Sequence, residues 1–238
     1  MRRIALVGKN LSSSFSIKFF NEKIEKENIK NLEYVNLEIK RIDQLHNYIK
    51  KKNIIGLNVT SPYKLSIKKY LNKIDDVSSK IGAINTIKVE GSDLIGFNTD
   101  YLGFMKAYKK QLSANKKCLV LGNGGASKGI QYVLRKLNIE YLVISRRSKF
   151  DYEFLKKNNL IDFDIIINTT TLGMVHNIHR FPDINYDQVN ETHTAIDLIY
   201  NPVQTIFLKK CQKKCANTLN GHEMLINQAL ESWKIWKI

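Results

Sequence analysis

The chain has 238 residues, of which 43% are hydrophobic, enough for one large or two modest domains with real cores, and we expect two. No apolar run approaches the roughly 20 residues that span a bilayer, and the N-terminus becomes polar too soon for a signal peptide. The odd count of three cysteines argues against a disulfide framework. Cys211, Cys215 and His222 lack the spacing of a metal site, so we expect no metal. We therefore expect a cytoplasmic protein without membrane contact.

The formal net charge is +16. Such an excess of lysine and arginine is found in proteins that bind nucleic acids, because these side chains neutralise phosphates. Here the lysines are scattered along the whole chain among asparagines and isoleucines, and no basic stripe studded with aromatic residues appears. We interpret the charge as a solvated basic surface that attracts anionic ligands, and we expect no nucleic-acid partner.

Residues 1–98 alternate between short apolar runs and helix-like patterns. The runs at 4–7 and 32–39 are typical of strands, whereas the segments at 16–27 and 42–51 have helical spacing. Strands that alternate with helices indicate an α/β sheet with parallel strands. The sequence therefore predicts an α/β fold for the first part of the chain.

A further predicted strand, residues 54–60, ends at a polar segment. Ser61 can cap a helix whose first position is Pro62, which predicts that Lys64 lies in the first helical turn. A cation at that place opposes the helix dipole. Because residues that break local rules tend to serve function, we interpret Lys64 as a functional residue.

The next stretch predicts a β-hairpin followed by a helix. Apolar segments at 81–89 and 94–98 are separated by a polar turn. Thr99 then caps a helix, and Asp100 occupies the helix start, where the dipole favours a carboxylate. The pattern thus places an acidic residue directly after the hairpin.

A glycine-rich turn, residues 122–129, joins a predicted strand at 117–121 to a segment of helical spacing. Glycine permits a tight turn and lets backbone N–H groups approach a pyrophosphate, whose charge the helix dipole favours. The pattern predicts a dinucleotide-binding turn. A tight strand-to-helix connection without a ligand is the alternative interpretation.

The strand after this turn, residues 141–144, ends in Ser145, Arg146 and Arg147. At this point an acidic residue grips the ribose 2′-OH of NAD, whereas an arginine accommodates the 2′-phosphate of NADP. No acidic residue occurs before Asp151. The two arginines therefore favour NADP over NAD, with a solvated basic loop as the alternative.

The remainder of the chain continues the alternation. Strands are predicted at 165–171 and 194–200, and helices at 203–213 and 221–238. The first of these strands changes from apolar to hydroxyl side chains, which indicates a ligand edge. Residues 175–193 have no periodicity and predict a loop. The histidines of this loop, which we expect at the surface, are His176, His179 and His193.

Seven short motifs follow one another along nearly the whole chain. They are Asn-Val-Thr-x-Pro-x-Lys at 58–64, Gly-Ala-Ile-Asn-Thr at 82–86, Asn-Thr-Asp at 98–100, the glycine turn at 122–126, Asn-Thr-Thr-x-x-Gly-Met at 168–174, Asp-x-x-Tyr-x-Pro at 197–202 and Gly-x-x-Met-Leu-x-x-Gln at 221–228. In this order and at this spacing the chain resembles the shikimate dehydrogenase family.

The resemblance implies a two-domain α/β fold, with a cleft between an N-terminal substrate-binding domain and a Rossmann-like NADP-binding domain. The expected boundaries are 1–100 together with 220–238 for the first domain, and 101–219 for the second. The implied activity is the reversible NADPH-dependent reduction of 3-dehydroshikimate to shikimate, a step of chorismate and aromatic amino acid biosynthesis. We thus expect a small-molecule substrate, NADP as the cofactor, and a monomer or homodimer.

The resemblance also implies roles for residues. Lys64 and Asp100 are expected to contact the substrate and to be catalytic, Lys64 as general acid or base and Asp100 as the carboxylate that orients its ammonium. The further residues expected to bind the substrate are Ser14, Ser16, Thr60, Asn85, Tyr200 and Gln228. The residues expected to bind the cofactor are Asp76, Gly122, Asn123, Gly124, Gly125, Ala126, Ser145, Arg146, Arg147, Ser148, Lys149, Leu198 and Gly221.

The chain departs from the family pattern at three places. Ile17 follows Ser16 where the family usually has proline, Ser145 replaces the usual asparagine before the arginines, and Arg147 and Ser148 stand where a threonine is common. The run 145–150 also resembles quinate/shikimate dehydrogenases that accept NAD, although their acidic residue is absent here, which leaves such an enzyme as an alternative. The net charge leaves another, a non-catalytic nucleic-acid-binding protein that retains the fold.

Overall fold

The computed structural model describes residues 1–9, 11, 15–146, 148–157 and 159–237. The chain divides into two compact units. Unit 1 comprises residues 1–99 and the chain from Ala229 onward, and unit 2 comprises Asp100–Gln228. None of the described helices is long and apolar enough to cross a membrane.

Unit 1 is built on a six-stranded sheet of order β2-β1-β3-β5-β6-β4. Its strands are β1 (Arg2–Gly8), β2 (Leu32–Glu38), β3 (Ile54–Val59), β4 (Lys73–Ile74), β5 (Thr86–Glu90) and β6 (Asp93–Phe97). Strand β1 runs parallel to β2 and β3, whereas β5 is antiparallel to β3 and β6. The helices are α1 (Phe15–Lys26), α2 (Leu45–Lys51) and α3 (Asp76–Ile81), with 3-10 helices at Ile42–Gln44 and Ser66–Tyr70.

Unit 2 is built on a five-stranded parallel sheet of order β11-β10-β9-β7-β8. Its strands are β7 (Lys117–Leu121), β8 (Glu140–Ile144), β9 (Ile165–Asn168), β10 (Thr194–Asp197) and β11 (Asn217–Leu219). The helices are α4 (Asp100–Tyr108), α5 (Gly125–Lys136), α6 (Tyr152–Lys156), α7 (Ile206–Gln212) and α8 (His222–Trp236), with 3-10 helices at Leu160–Asp162, Val175–Asn177 and Tyr186–Gln188. Helix α8 passes from unit 2 into unit 1 at Ala229.

The predicted α-helix after Pro62 is wrong. The segment forms turns, and a 3-10 helix follows only later. Tyr63 and Ile67 are buried in the core, and the Tyr63 hydroxyl donates to the Ile39 carbonyl oxygen at 2.6 Å. These tertiary contacts, rather than the local capping signal, set the backbone here. Lys64 therefore occupies a turn, where no helix dipole opposes its charge.

The strand predicted at 81–89 begins later than expected. Ile81 is the last residue of α3, and Gly82 ends that helix in the left-handed region, with φ of 77°. Glycine is favoured there because it has no Cβ. Strand β5 therefore starts only at Thr86, and the buried Ile84 lies in the connection.

His193 is buried, contrary to the prediction of a surface histidine, whereas His176 and His179 are exposed as predicted. Its Nδ1 lies 2.8 Å from Asn190 Oδ1, and the Asn190 N–H donates to the same nitrogen at 3.2 Å. These contacts hold the His193 ring against the turn that precedes β10, and the ring is therefore buried.

Both sheets bury apolar side chains on both faces. Ala5 and Val7 of β1 enter one core cluster, whereas Ile4 and Leu6 enter another, because successive side chains of a strand point to opposite faces. The buried residues of unit 2 likewise divide into two clusters. Each unit therefore has a sheet covered on both sides, as expected for an α/β fold.

The carboxyl ends of the central strands of unit 2 are level. Leu121 of β7 pairs with Asn168 of β9, and Asn168 pairs with Asp197 of β10. The residues that follow these strands, Gly122 and Leu198 among them, therefore emerge at one edge of the sheet. Ligands of parallel α/β sheets bind at this edge.

Gly56 of β3 leaves room for Trp236 of α8. A Cβ at position 56 would lie 2.6 Å from the indole Cδ1 and Nε1 atoms. The same Nε1 donates to the Ile87 carbonyl oxygen at 2.9 Å, which holds the indole in place. We expect Gly56→Ala to lower the free energy of unfolding by about 2 kcal/mol in urea denaturation, because overpacking a filled core is destabilising.

Trp236→Ala is the matched test of this contact, because it removes the crowded ring altogether. The double variant Gly56→Ala/Trp236→Ala is expected to lose less stability than the two single losses added together. A Gly56→Ala protein as stable as the wild type would contradict the close packing of the two residues.

Candidate active site

The glycine turn of unit 2 joins β7 to α5. Gly122 has φ of 107°, and a Cβ there would lie 2.6 Å from Thr169 Oγ1. Its N–H donates to the Ile144 carbonyl oxygen at 2.8 Å, and its own carbonyl oxygen accepts from the Ser127 hydroxyl at 2.7 Å. The backbone angle and the neighbouring strand therefore both require glycine at this position.

The first turn of α5 is open to an anion. Gly124 is the N-cap, and a Cβ there would meet no described atom within 4 Å. Gly125 and Ala126 begin the helix, whose first turn has no acidic residue. Asn123 is exposed, and its side-chain oxygen accepts from Gln131 Nε2 at 3.1 Å. Backbone N–H groups and the positive end of a 12-residue helix suit a phosphate group here.

The segment after β8 forms a tight turn that carries cations. The Ser145 N–H donates to the Phe150 carbonyl oxygen at 3.1 Å, and the Ser148 hydroxyl donates to the same oxygen at 2.7 Å. Arg146 and Lys149 are exposed. A guanidinium at the end of this strand suits the 2′-phosphate of NADP.

Gly221 and Leu198 approach each other closely. The Gly221 N–H donates to the Ile199 carbonyl oxygen at 3.0 Å, and a Cβ at 221 would collide with the Leu198 carbonyl oxygen. Any side chain at 221 would therefore push the two segments apart. Together with the glycine turn and the exposed cations, this arrangement in unit 2 fits a dinucleotide phosphate.

Asp197, a buried carboxylate beside Leu198, begins the motif at 197–202, but the sequence analysis assigned it no role. Asp197 is 0% exposed, and its oxygens accept from the Thr205 hydroxyl at 2.6 Å and the Ile199 N–H at 3.0 Å. The Asn168 amide donates to it at 3.0 Å. Burial raises the pKa of Asp197 from 3.8 to about 6, although these hydrogen bonds act in the opposite direction. Two sequence signals mark Asp197: its place in that motif, and its position as an acidic residue inside an apolar run.

In unit 1 the predicted residues Thr60, Lys64 and Asn85 lie around the end of β3. The Thr60 N–H donates to the Val7 carbonyl oxygen at 2.9 Å. The Ile84 N–H donates to the Lys64 carbonyl oxygen at 2.8 Å, which ties the turn of Lys64 to the segment before β5. The backbone therefore brings these three predicted residues into one region of the unit.

Asn85 is held through its whole amide. Its Nδ2 donates to Thr99 Oγ1 at 2.8 Å, and its Oδ1 accepts from the Thr99 N–H at 2.7 Å. The Thr86 hydroxyl donates to the same Oδ1 at 3.1 Å. Asp100, which follows Thr99 directly in the chain, is the first residue of α4 and is 4% exposed.

Two other predicted residues of unit 1 occupy helices. Ser16 is half-buried on α1, and its side chain forms a hydrogen bond with Tyr34. Asp76 begins α3, directly after Asp75, whose carboxylate caps the helix. Asp76 therefore belongs to a different unit from the cluster of predicted cofactor residues. Ser14 lies outside the described residues.

The remaining predicted residues belong to unit 2. Tyr200 follows β10 and is half-buried. Gln228 lies on α8, and its amide donates to the Leu225 carbonyl oxygen at 3.0 Å. Arg147 lies outside the described residues. Neither Tyr200 nor Gln228 belongs to the glycine turn or to the turn after β8.

Residues 6–87 match the family model described as the shikimate dehydrogenase substrate binding domain. A protein of Clostridium botulinum named shikimate dehydrogenase (NADP(+)) is 37% identical over 251 residues, which cover 99% of this chain and 96% of that protein. The chain belongs to the shikimate dehydrogenase family. The predicted family is thereby confirmed.

Solved structures of the shikimate dehydrogenase family share the fold. Shikimate dehydrogenase 1 from Peptoclostridium difficile has a TM-score of 0.89 and 36% identity, covering 100% of this chain and 92% of that chain. Shikimate 5-dehydrogenase from Thermus thermophilus, solved in complex with NADP(H) and shikimate, has a TM-score of 0.85 and 26% identity, covering 99% and 93%. The predicted α/β fold with a Rossmann-like part is confirmed, and the residue roles stay predictions.

The raised pKa of Asp197 predicts how stability changes with pH. Because the folded-state pKa of about 6 exceeds the ordinary 3.8, folding favours the protonated form. This contribution to stability is complete below about pH 4 and is lost as the pH rises through about 6. In urea titrations, the unfolding free energy of the wild type minus that of Asp197→Asn is expected to fall by about 2 kcal/mol between about pH 4 and 7.

Asp187→Asn is the control variant. Asp187 is exposed in the same unit, and its ion pair with Lys214 lowers its pKa. Its contribution is therefore lost as the pH falls, which is the opposite direction. A wild type minus Asp197→Asn difference that stays flat over the whole range would rule out a raised pKa.

Proposed function

We propose that the chain catalyses the reversible reduction of 3-dehydroshikimate to shikimate with NADPH. Similarity over 99% of the chain to a shikimate dehydrogenase (NADP(+)) carries this proposal. The predicted class, an NADP-dependent oxidoreductase, is confirmed by the names of the relatives from Methanosphaera stadtmanae and Methanococcus vannielii as well. The roles of individual residues are inferred from their chemistry and surroundings.

When bound, NADPH supplies the hydride that adds to the ketone carbon. We assign its pyrophosphate to the backbone N–H groups of the turn that includes Gly122, Asn123, Gly124, Gly125 and Ala126. The open N-terminal turn of α5 supports this assignment. We assign the 2′-phosphate to Arg146 and Arg147. The further residues assigned to the cofactor are Asp76, Ser145, Ser148, Lys149, Leu198 and Gly221.

Lys64 is the proposed general acid. As hydride adds to the ketone carbon, negative charge grows on the oxygen, and the ammonium donates its proton there to give the alcohol. In the oxidation direction the neutral amine removes the same proton. The Ile84 N–H donates to the Lys64 carbonyl oxygen, which supports this role because it fixes the backbone that carries the Lys64 side chain.

Asp100 is the proposed partner of the Lys64 ammonium. A carboxylate beside an ammonium orients it and favours its charged form. The low exposure of Asp100 supports this role, because a buried carboxylate needs polar or charged partners. Its chain neighbour Thr99 is held by Asn85 at both the N–H and the hydroxyl, which limits movement of the backbone at this point.

Neutral polar groups are proposed to hold the rest of the substrate, a polyol acid. We assign Ser14, Ser16 and Tyr200 to the carboxylate, and Thr60, Asn85 and Gln228 to the ring hydroxyls together with Asp100. Such a site discriminates against ligands that lack the hydroxyls, because its buried polar groups would be left unpaired.

The purified protein is expected to form NADPH from NADP when shikimate is added, and the absorbance of NADPH measures this reaction. Lys64→Ala is expected to lower kcat by about 10²–10⁴-fold, the usual contribution of a general acid or base. Lys69→Ala is the control, because Lys69 is an exposed lysine on the neighbouring 3-10 helix. Full turnover by Lys64→Ala would contradict the proposed role.

Arg146→Ala is expected to raise the KM for NADP by about ten- to hundredfold, because a charge-assisted hydrogen bond contributes about 1.5–3 kcal/mol. The KM for NAD should stay within about twofold of the wild type, since NAD has no 2′-phosphate. Steady-state kinetics with both cofactors, and with both shikimate and quinate, measure these KM values. The control is Arg135→Ala, an exposed arginine of the same unit that donates to Tyr141.

An equal rise for both cofactors would show that Arg146 does not recognise the 2′-phosphate. A wild type with a higher kcat/KM for quinate and NAD than for shikimate and NADP would favour the alternative, a quinate/shikimate dehydrogenase that uses NAD.

A further inference from the structure

A buried network of polar side chains has its centre at Ser232 of α8. The Ser232 hydroxyl oxygen accepts from Asn58 Nδ2 at 3.1 Å. It also lies 2.7 Å from Thr86 Oγ1 and 3.1 Å from Thr99 Oγ1. Ser232, Thr86 and Thr99 are all fully buried, and all belong to unit 1. One serine thus connects the last helix with β3, with β5 and with the end of the hairpin.

The network ends on two residues that we assign to the substrate. On one side, the two threonines bond the amide of Asn85. On the other side, Asn58 Oδ1 accepts from the Tyr34 hydroxyl at 2.8 Å, and Tyr34 also bonds Ser16. Burial raises the pKa of Tyr34, so its hydroxyl keeps the proton that it donates to Asn58.

The hydrogen-bond partners fix the direction of the Asn85 amide. The Thr99 N–H is a donor only, so the Asn85 oxygen must face it. The Thr86 hydroxyl donates to the same oxygen, and the Asn85 Nδ2 is then directed to the Thr99 hydroxyl. Both hydroxyls that set the amide also contact Ser232.

A simpler interpretation is that Ser232 only fills space between the helix and the sheet. Alanine would fill nearly the same space, is more favourable within a helix, and has no polar group to bury. The next residue, Trp233, packs in an aromatic cluster with Phe20, so the surroundings include an apolar face. The three polar neighbours of the hydroxyl are therefore the feature that distinguishes serine from alanine here.

We propose that Ser232 is a positioning residue for substrate binding, whose hydroxyl fixes Thr86 and Thr99 so that Asn85 is directed to a ring hydroxyl of the substrate. This role rests on the proposed function. Ser232 contacts Thr86 and Thr99, which in turn bond the Asn85 amide, so we assign it an action through Asn85 and not by contact with the substrate.

Ser232→Ala is expected to raise the KM for shikimate by roughly three- to tenfold, the equivalent of weakening one hydrogen bond, and to leave the KM for NADP unchanged. Thr86→Val, which removes a hydroxyl at nearly constant shape, is expected to cause a similar rise. The two together should raise the KM little further, because both act on the same amide.

A double-mutant cycle with Asn85→Ala tests the route. In that background, Ser232→Ala is expected to change the KM for shikimate by less than about twofold. An equal rise with and without the Asn85 amide would contradict action through Asn85. If Ser232→Ala does not fold, Thr86→Val in the same two backgrounds carries the test.

Leu45→Ala is the control for a loss of stability alone. Leu45 is fully buried on α2, in a core cluster of unit 1 that includes none of the network residues. This variant is expected to lower the melting temperature but to leave the KM for shikimate as in the wild type. A matching KM rise in this control would show that destabilisation explains the effect.

Different results would contradict the proposed function and the proposed role of Ser232. A wild type that shows no shikimate-dependent reduction of NADP contradicts the proposed function, and the positioning role with it. An active wild type with an unchanged KM in folded Ser232→Ala and Thr86→Val contradicts only the positioning role.

Discussion

The pairing of the Asn85 amide with Thr99 is the interaction on which the proposed site in unit 1 depends. One side chain bonds both the N–H and the hydroxyl of the last residue of that unit's first segment. The backbone at Thr99 cannot shift without breaking two buried hydrogen bonds, each expensive to leave unmade. The residue before Asn85, Ile84, holds the backbone of Lys64. Two consecutive residues before β5 thus anchor the turn of the proposed acid and the chain neighbour of the proposed carboxylate.

The edge of unit 2 that we assign to the cofactor depends mainly on glycines, which have no side chain. The positive φ of Gly122 and the contact of Gly221 with the Leu198 carbonyl group both depend on a missing Cβ. Among the described residues, Asp197 is the buried carboxylate at this edge, and its role is structural. Its hydrogen bonds connect the end of β9 at Asn168, the Ile199 backbone after β10 and the residue that caps α7. The pKa of Asp197 is raised because burial disfavours the charged form of the carboxyl group.

Much of the fold could be predicted from the sequence because its signals are local. Alternating apolar runs gave the strands, and the glycines of 122–129 gave the turn between β7 and α5. The wrong predictions had two different causes. Tyr63 packs into the core, and the segment around Lys64 forms turns instead of the predicted helix. Gly82, in contrast, ends α3 through a local left-handed cap where a strand was predicted.

The polar network of unit 1 could not be predicted from any local pattern. Asn58 and Ser232 are 174 positions apart, and only the fold shows that their side chains meet. Taken singly, each looks like an ordinary polar residue. The family motifs did contain Asn58, Asn85 and Thr86, but motif membership says which residues recur and not which of them bond one another.

The two units should therefore differ in how their sites respond to substitution. At Gly122 and Gly221 an added Cβ would collide with Thr169 or with the Leu198 backbone, so even a small side chain should disturb the local structure strongly. In unit 1 each network hydroxyl has more than one partner, since Thr86 contacts both Ser232 and Asn85. Loss of one buried hydroxyl there leaves its partners unsatisfied, which is costly in a buried site. The glycine turn of unit 2 is therefore sensitive to an added side chain, whereas the network of unit 1 is sensitive to the removal of a hydrogen-bond partner.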